Sequence, residues 1–372
     1  MQPESARSYG GLGLGAIGAF LAILSLAMVG LIEIGAPTRA RERPRSIANV
    51  SPAPTPTATR VPTAVPPSPT VAVQVTQSII PTTTPTATPL AWISSSLQYR
   101  PVAVMIDNHP DARPHSGLTE ADVVYEAVVE AGITRFMAIF GRTDAKVVGP
   151  VRSARHYFIY WASEYGAIYL HAGSSPQGYD AARSIALPRL DFTYGEGVYW
   201  RINNRSAPHN LYTDTGRSRQ LAADGNHGSL GPVAYKSDAP APTLSAITIT
   251  HPDGYRVSYE YRSSDNSFLR QMARRPHIDV LDGVQYHPKN VVVQFVRAWR
   301  IPGDDAGRMD MELVGAGPAY FFRDGIATEG SWIKEGLTAA TRFLDGEGAP
   351  VLLNVGQTWI QVVPQNSAVS YQ

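Results

Sequence analysis

Residues 100–140 read RPVAVMIDNHPDARPHSGLTEADVVYEAVVEAGITRFMAIF, and they open the part of the chain that has the composition of a folded protein. The apolar run from Val102 to Ile106 is short enough for a buried β-strand. It leads into a polar loop that begins at Asp107. Loops that follow buried strands are where folds of strands and helices usually carry their binding sites. This stretch therefore predicts the first strand of the fold and the place of a site.

Two further strands are predicted in the same stretch. Residues 122–130 alternate between apolar and polar side chains, which is typical of a half-buried strand with Glu126 and Glu130 on its outer face. The alternative is a helix, since the carboxylates at 122, 126 and 130 also fit one helical face. Gly132 then marks a turn, and residues 134–140 are the returning strand.

Helices follow. Residues 154–165 carry apolar and aromatic side chains at helical spacing, with Ser153 as the expected N-cap and Gly166 as the stop. A short strand is predicted at 167–171. The next helix should have Ser175 as its cap and proline in its first position, and a third is expected over 214–223. Strands that alternate with helices in this way predict an α/β-like domain with a mixed sheet.

The pattern changes after residues 225–243, which are rich in Gly, Pro and Ser and form the expected boundary. Beyond it come short strand-like runs separated by Asp-Gly turn signals. These runs are 247–250, 257–261, 291–298, 309–314, 319–322, 351–354 and 359–363. They predict a smaller, mostly β second domain, so the fold class of the folded part is α+β.

The N-terminal region predicts a membrane anchor. Residues 8–32 carry no charge, and as a helix they would be roughly 37 Å long, enough to cross a hydrocarbon core of about 30 Å. A cleaved signal peptide is the alternative, although the apolar run is longer than the usual one. The predicted organisation is an anchor at 1–36, a Pro/Thr-rich linker at 37–97, an α/β-type domain at 98–228 and a mostly β domain at 244–366.

The side of the membrane on which the folded part lies is argued from opposing signals. Arginines at 39, 41, 43 and 45 follow the apolar run and favour a cytoplasmic position for what comes next. Residues 51–90, however, hold ten Pro and eleven Thr with a single charge, a composition typical of an extended stalk outside the cell. We interpret the protein as single-pass, with the folded part extracytoplasmic.

Overall composition excludes several classes of protein. The 372 residues include 32 Lys and Arg against 31 Asp and Glu, so the net charge of +1 gives no sign of a nucleic-acid binder. The absence of cysteine excludes disulfides, thiolate catalysis and lipid attachment to an N-terminal Cys. Oligomeric state is left open by these features.

Several long motifs stand out along the chain: the opening stretch, GPVRSARHYF (149–158), HAGSSPQG (171–178), RSAPHNLYT (205–213), DDAGRMD (304–310), GPAYFFRDG (317–325) and VLLNVGQTWIQVVP (351–364). Together they resemble the YerB-like family of bacterial envelope proteins. The resemblance covers about 99–364, and it implies paired domains of unknown function, a boundary near 225–245 and an extracytoplasmic location. Many members of the family are lipoproteins, whereas here an apolar segment replaces the lipid-bearing Cys. The family supplies no reaction.

Arg152, Arg155 and His156 are the first candidate site, because they lie at the start of a predicted helix. Helix N-termini attract anions, and an adjacent arginine can bind an oxyanion through two hydrogen bonds. The alternative is that both arginines form structural ion pairs. The carboxylates available for such pairs are Glu126, Glu130 and Glu164.

Histidines and carboxylates in the loops form a second candidate set. The spacing HExxH is absent, so we predict no metal and no cofactor; a metal site built from scattered histidines and aspartates is the alternative. The G-x-S-x-G pattern of a serine nucleophile is also absent. A third candidate is the loop 205–210. The full set of predicted ligand-binding residues is Asp107, Asn108, His109, Arg152, Arg155, His156, His171, Arg205, His209 and Asn210.

These observations lead to one expected function and two alternatives. We expect a binding module for an anionic or glycan-type ligand of the cell envelope, with Arg152, Arg155 and His156 sharing one pocket with Asn108 and His209. The alternatives are a hydrolase of the same envelope, acting on a phosphodiester, ester or glycosidic bond, and a scaffold that docks another envelope protein. The sequence leaves open whether the protein catalyses a reaction.

Overall fold

The computed structural model describes residues 96–97, 99–195, 197–222, 228–231 and 233–372. The predicted anchor and almost all of the predicted linker lie outside the described residues. Within the described part, no helix is both long enough and apolar enough to cross a membrane.

Strands dominate the described part. Its α-helices are α1 (His156–Glu164), α2 (Pro176–Ser184) and α3 (Thr215–Leu221), and short 3-10 helices span Pro110–Ala112, Leu118–Glu120, Glu130–Gly132 and Phe192–Tyr194. The strands are β1 (Ser96–Leu97), β2 (Val102–Asp107), β3 (Val123–Val128), β4 (Thr134–Phe140), β5 (Ile168–His171), β6 (Arg189–Asp191), β7 (Tyr199–Arg201), β8 (Leu211–Thr213), β9 (Gly228–Ser229), β10 (Ala234–Lys236), β11 (Ala246–Thr250), β12 (Arg256–Arg262), β13 (Ser267–Met272), β14 (Arg275–Pro276), β15 (Asn290–Val296), β16 (Ala298–Arg300), β17 (Met309–Met311), β18 (Gly315–Arg323), β19 (Ile326–Lys334), β20 (Arg342–Asp345), β21 (Leu352–Asn354), β22 (Thr358–Pro364) and β23 (Ala368–Tyr371). The predicted α+β class is confirmed.

A mixed ten-stranded sheet forms the centre of the fold, in the order β20-β19-β18-β15-β22-β3-β4-β2-β5-β6. Strand β22, near the C-terminus, lies between β15 and β3 and pairs parallel with both. Strands β2, β3 and β4 all come from the stretch 100–140, and β4 pairs antiparallel with the other two. One sheet therefore contains strands from both sides of the segment 225–243.

A second sheet, in the order β14-β13-β12-β11-β23, packs on one face of the ten-stranded sheet. Their shared core joins Ile247 and Phe268 to Val291 and Val363. The predicted half-burial of β3 is wrong as a result, since all six of its residues are buried. Glu126 is buried too, because this second sheet covers the face that the sequence pattern assigned to solvent.

Helix α1 packs on the opposite face. Its side chains Tyr157, Phe158 and Trp161 are buried in one cluster with Tyr125 and Met137 of β3 and β4. Strands covered on both faces are usually apolar on both faces, which explains the apolar runs at 102–106 in β2 and 136–140 in β4.

The start of α1 differs from the prediction. The helix begins at His156, and Arg155 rather than Ser153 is its N-cap. Hydrogen bonds from Ala154 N–H to Gly173 O (2.9 Å) and from Ala172 N–H to Arg152 O (3.0 Å) explain the shift. They hold residues 152–154 extended alongside 172–174, so these residues cannot form the first helical turn.

The start of α2 is as predicted. Ser175 Oγ accepts a hydrogen bond from Gly178 N–H at 3.0 Å, and Pro176 occupies the first helical position. Helix α3 is capped in the same way, with the Asp214 carboxylate accepting from Arg217 N–H at 2.9 Å. The Ser175-Pro176 signal therefore located the start of α2, while α3 covers residues 215–221 of the predicted range 214–223.

Candidate functional site

Asp107 ends strand β2, and its carboxylate is almost completely buried. One oxygen, Oδ1, accepts a hydrogen bond from the backbone N–H of His109 at 3.0 Å. The other, Oδ2, lies 2.7 Å from His209 Nδ1. Because a carboxylate can only accept, His209 carries a proton on Nδ1 and donates it. The Nε2 atom of His209 makes no hydrogen bond to any residue of the described part.

Arg152 is the third residue that contacts the Asp107 carboxylate. Its Nε lies 3.2 Å from Asp107 Oδ2, while its backbone N–H donates to Met105 O at 2.9 Å. The terminal nitrogens of its guanidinium have no hydrogen bond or ion pair with the described residues, and its side chain is 28% exposed. Half of this guanidinium is therefore available to a ligand.

His109 and Asp111 complete the group. The rings of His109 and His209 are stacked, with centroids 4.7 Å apart and planes inclined by 17°. His109 Nδ1 accepts a hydrogen bond from the backbone N–H of Asp111 at 3.2 Å. We call Asp107, His109, Asp111, Arg152 and His209 the Asp107 cluster.

His115 and His277 are a pair of buried histidines, of which His115 contacts the backbone of Asp107. His115 Nε2 lies 2.8 Å from the carbonyl oxygen of Asp107, and its Nδ1 lies 2.9 Å from His277 Nε2. Since a carbonyl only accepts, His115 donates from Nε2. Burial lowers the pKa of His115 to about 3, so its ring is neutral and its Nδ1 accepts from His277. A residue far along the chain thus helps to fix the end of β2.

Three of the predicted ligand-binding residues bind other parts of the protein instead. The buried Asn108 donates to Thr134 Oγ1 at 2.7 Å. Arg205 donates to the carbonyl oxygens of Ala112 (2.7 Å) and Pro114 (2.6 Å), and so holds the loop that carries Asp111. Asn210 donates from Nδ2 to the carbonyl oxygens of residues 202 and 205, both at 3.0 Å. Their polar groups support the loops around the Asp107 cluster.

Arg155 forms the structural ion pair that was the alternative prediction. Its Nε donates to Glu130 Oε2 at 2.9 Å, and Arg135 donates to the other oxygen of the same carboxylate at 3.0 Å. Burial would raise the pKa of Glu130, but the two guanidinium groups outweigh burial and hold this pKa below its ordinary value. The guanidinium of Arg155 is thus committed to an internal carboxylate.

His156 and His171 also make contacts that do not involve Arg152. His156 Nε2 lies 2.7 Å from Asp310 Oδ1, in an open cleft of about 640 Å³ that neither Arg152 nor His209 lines. His171 donates from Nδ1 to Gly173 O at 2.9 Å, and burial lowers its pKa. The expected shared pocket of Arg152, Arg155 and His156 does not form, because each side chain faces a different carboxylate.

Two residues that contact this site, Asp111 and His277, were not among those predicted from the sequence. Asp111 follows His109 by two residues, and this His-x-Asp spacing was a signal that could have been used. His277 lies in a segment that was not assigned a role, and its contact with His115 spans 162 positions. No local pattern could reveal that contact.

Comparison with protein families defines the class of protein. Residues 87–228 match the family model described as "Protein of unknown function (DUF3048) N-terminal domain", and residues 247–360 match the model for its C-terminal domain. The chain belongs to the YerB-like (DUF3048) family, in which these two parts occur together.

A curated relative and a solved structure agree with this assignment. The chain is 31% identical over 280 residues to the protein named "Putative lipoprotein YerB" of Bacillus subtilis strain 168, covering 73% of this chain and 83% of that protein. It is also similar to a crystal structure of the YerB protein from Bacillus subtilis, with a TM-score of 0.65 and 29% identity over 73% of this chain and 94% of that one. The resemblance found in the motifs is confirmed.

Proposed function

We propose that this chain is a membrane-anchored, extracytoplasmic protein that binds an anionic group of an envelope glycan at the Asp107 cluster. Asp107, His109, Arg152 and His209 are the residues we assign to binding. The proposal rests on the contacts of the Arg152 guanidinium. Its Nε lies 3.2 Å from the buried Asp107 carboxylate, while its terminal nitrogens have no partner among the described residues.

An arginine in this position suits an oxyanion. Asp107 fixes the guanidinium from one side, so less side-chain entropy is lost when the other side binds a carboxylate or phosphate. His209 approaches the same Asp107 oxygen, so its ring lies beside the guanidinium. A ligand at this place would contact one cation and two imidazole rings at once.

Binding is favoured over hydrolysis by the contacts of the two cluster histidines. A serine hydrolase needs a hydroxyl within hydrogen-bond reach of its base. Within the described residues, neither His109 nor His209 is hydrogen-bonded to a serine or threonine hydroxyl. The one carboxylate that contacts His209 already accepts two hydrogen bonds, from His109 N–H and His209 Nδ1, and lies 3.2 Å from Arg152 Nε. These contacts support recognition of a ligand, which is the function we assign.

The membrane anchor in this proposal is the uncharged segment 8–32, followed by the Pro/Thr-rich linker that ends at residue 97. A relative whose name is "Putative lipoprotein YerB" supports attachment to a membrane. We further propose that 98–228 and 244–366 act as one binding module, because β22 is paired on both sides, with β3 and with β15.

Co-sedimentation with purified peptidoglycan sacculi tests the proposal. The full chain, purified in a neutral detergent, should pellet with sacculi, and Arg152→Gln should reduce its affinity at least tenfold. Such a loss corresponds to about 1.5–3 kcal/mol for a hydrogen bond to a charged group. The matched control is Arg300→Gln, which removes an exposed arginine on β16 and should bind as the unchanged protein does. Equal pelleting of the Arg152→Gln and unchanged proteins would contradict the proposal.

A further inference from the structure

We propose that His109, Asp111 and His209 bind a divalent first-row transition-metal ion of the zinc class. One nitrogen from each histidine and one carboxylate oxygen of Asp111 lie within 4.8 Å of one another. Two imidazole nitrogens and a carboxylate oxygen are a common ligand set for zinc and its neighbours in the periodic table. From the sequence we predict no metal, and a site of scattered histidines and aspartates is only the alternative, with no ligands named.

One pair of the ligand atoms is already at the spacing that a tetrahedral ion requires. Ligands about 2.1 Å from a tetrahedral zinc ion lie about 3.4 Å from one another. His109 Nδ1 and Asp111 Oδ2 are already 3.5 Å apart. His209 offers Nε2, because its Nδ1 is hydrogen-bonded to Asp107. Binding would replace the contact between His109 Nδ1 and the backbone N–H of Asp111 with a stronger one.

Asp107 supplies the supporting contact that histidine ligands of metals usually have. A metal-bound histidine typically donates its other ring N–H to a carboxylate, which fixes the tautomer and the ring orientation. His209 donates Nδ1–H to Asp107 at 2.7 Å, and that carboxylate is itself held by the backbone N–H of His109. The lone pair of His209 Nε2 is therefore oriented before any ion binds.

The other two ligands have room to close on an ion. The side chains of His109 and Asp111 are 40% and 73% exposed, so they can rotate without disturbing the core. Three protein ligands leave a tetrahedral ion one open position, where water or an oxyanion can bind. The metal site shares His109 and His209 with the proposed anion site but does not depend on Arg152.

Metal binding can be measured directly on the full chain, prepared without a histidine tag and dialysed against EDTA. Calorimetric titration with ZnCl2 should give one equivalent, and CoCl2 should give the visible absorption bands of a tetrahedral ion. Asp111→Asn and His109→Gln should each weaken zinc binding at least tenfold. Asp305→Asn, which changes an exposed aspartate elsewhere, should leave it unchanged.

Two results would overturn the metal site: no zinc binding by the unchanged chain, or equal binding by the Asp111→Asn and His109→Gln variants. Arg152→Gln separates this inference from the proposed function. That variant should lose binding to sacculi while keeping its zinc affinity, so failure of one proposal leaves the other standing. Because His109 and Asp111 are exposed, both variants should fold as the unchanged chain does.

Discussion

His209 Nδ1 donates a hydrogen bond to Asp107 Oδ2 at 2.7 Å, which joins the end of β2 to a loop residue 102 positions further along the chain. Asp107 is fixed at the end of a strand that is buried on both faces, so it does not move to meet its partners. The position of His209 is therefore set by the central sheet. Arg152 reaches the same oxygen, and the site depends on this one carboxylate.

Asp107→Asn should destabilise the protein. An amide placed there would either lose one of the accepted hydrogen bonds or direct its NH2 group at Arg152 and the Nδ1–H of His209. We expect the free energy of unfolding to fall by about 1–3 kcal/mol, the cost of leaving buried polar groups unpaired. Denaturant-induced unfolding measures the change, with Asp305→Asn as the exposed control. An unchanged midpoint and slope would show that this contact does not contribute to stability.

Arg270→Met should have a larger effect on stability. Arg270 of β13 and Glu126 of β3 form a completely buried ion pair at 2.5 Å, and the guanidinium lies over the Trp359 ring at 4.4 Å. Removing one partner leaves a buried charge alone, which costs about 3–5 kcal/mol. The variant should unfold at a clearly lower denaturant concentration.

The double variant Glu126→Gln/Arg270→Met provides the control for that experiment. Replacing both partners removes the unpaired charge, so the double variant should be more stable than Arg270→Met alone. If the two changes simply add, the pair does not couple the two sheets as described.

Local signals in the sequence predicted β2 and the start of α2 but not the partners of the charged residues. The apolar run that starts at Val102 and the Ser175-Pro176 cap were sufficient to place β2 and α2, because each depends on neighbouring residues. Glu126 was assigned to the solvent face, since its alternation with apolar neighbours reveals nothing about the sheet that covers it. That sheet comes from a segment more than 100 residues further along the chain.

The candidate site shows the same limit. His109 and His209 lie in loops as predicted, whereas Asp107 is the last residue of β2. The structure brings these three side chains together. Arg155 has the same local features as Arg152 but is paired with Glu130. Arg152 lies beside Asp107 instead. The sequence placed both arginines at one helix start, whereas residues 152–154 are extended and the helix begins at His156.

Stability should depend on pH through the pair His115 and His277. Burial lowers the pKa of both rings, that of His115 to about 3. Above pH 6.5 both are neutral in the folded and unfolded states, so they contribute nothing. Below pH 6.5 the unfolded chain takes up protons that the folded protein excludes, and the free energy of unfolding falls by about 1.4 kcal/mol per pH unit for each histidine.

Urea unfolding at pH 7, 6 and 5 measures this dependence. Between pH 6 and 5, the free energy of unfolding of His115→Gln should fall less steeply than that of the unchanged protein. The difference in slope should be the contribution of one histidine, roughly 1.4 kcal/mol per pH unit. Glu130, whose pKa is lowered from an ordinary value of 4.5, changes the stability only at lower pH, so it does not disturb the comparison. Parallel pH profiles for the variant and the unchanged protein would mean that His115 titrates normally.

The folded part should be accessible from outside the cell. Protease added to intact spheroplasts should degrade residues 100–364 while a cytosolic control protein survives. Protection of this region from protease would place it in the cytoplasm, as the four arginines at 39, 41, 43 and 45 suggest. Lysed spheroplasts provide the control, because there both proteins should be cut.

Calorimetric titration of the full chain with inorganic phosphate at low ionic strength tests the central claim most directly, because phosphate is the simplest oxyanion that the free side of Arg152 can bind. We predict binding of one phosphate that is lost in Arg152→Gln, weakened in Arg152→Lys because an ammonium cannot form the paired hydrogen bonds, and unchanged in Arg300→Gln. The same phosphate affinity in Arg152→Gln and the unchanged protein would contradict the assignment of the Asp107 cluster as an anion site.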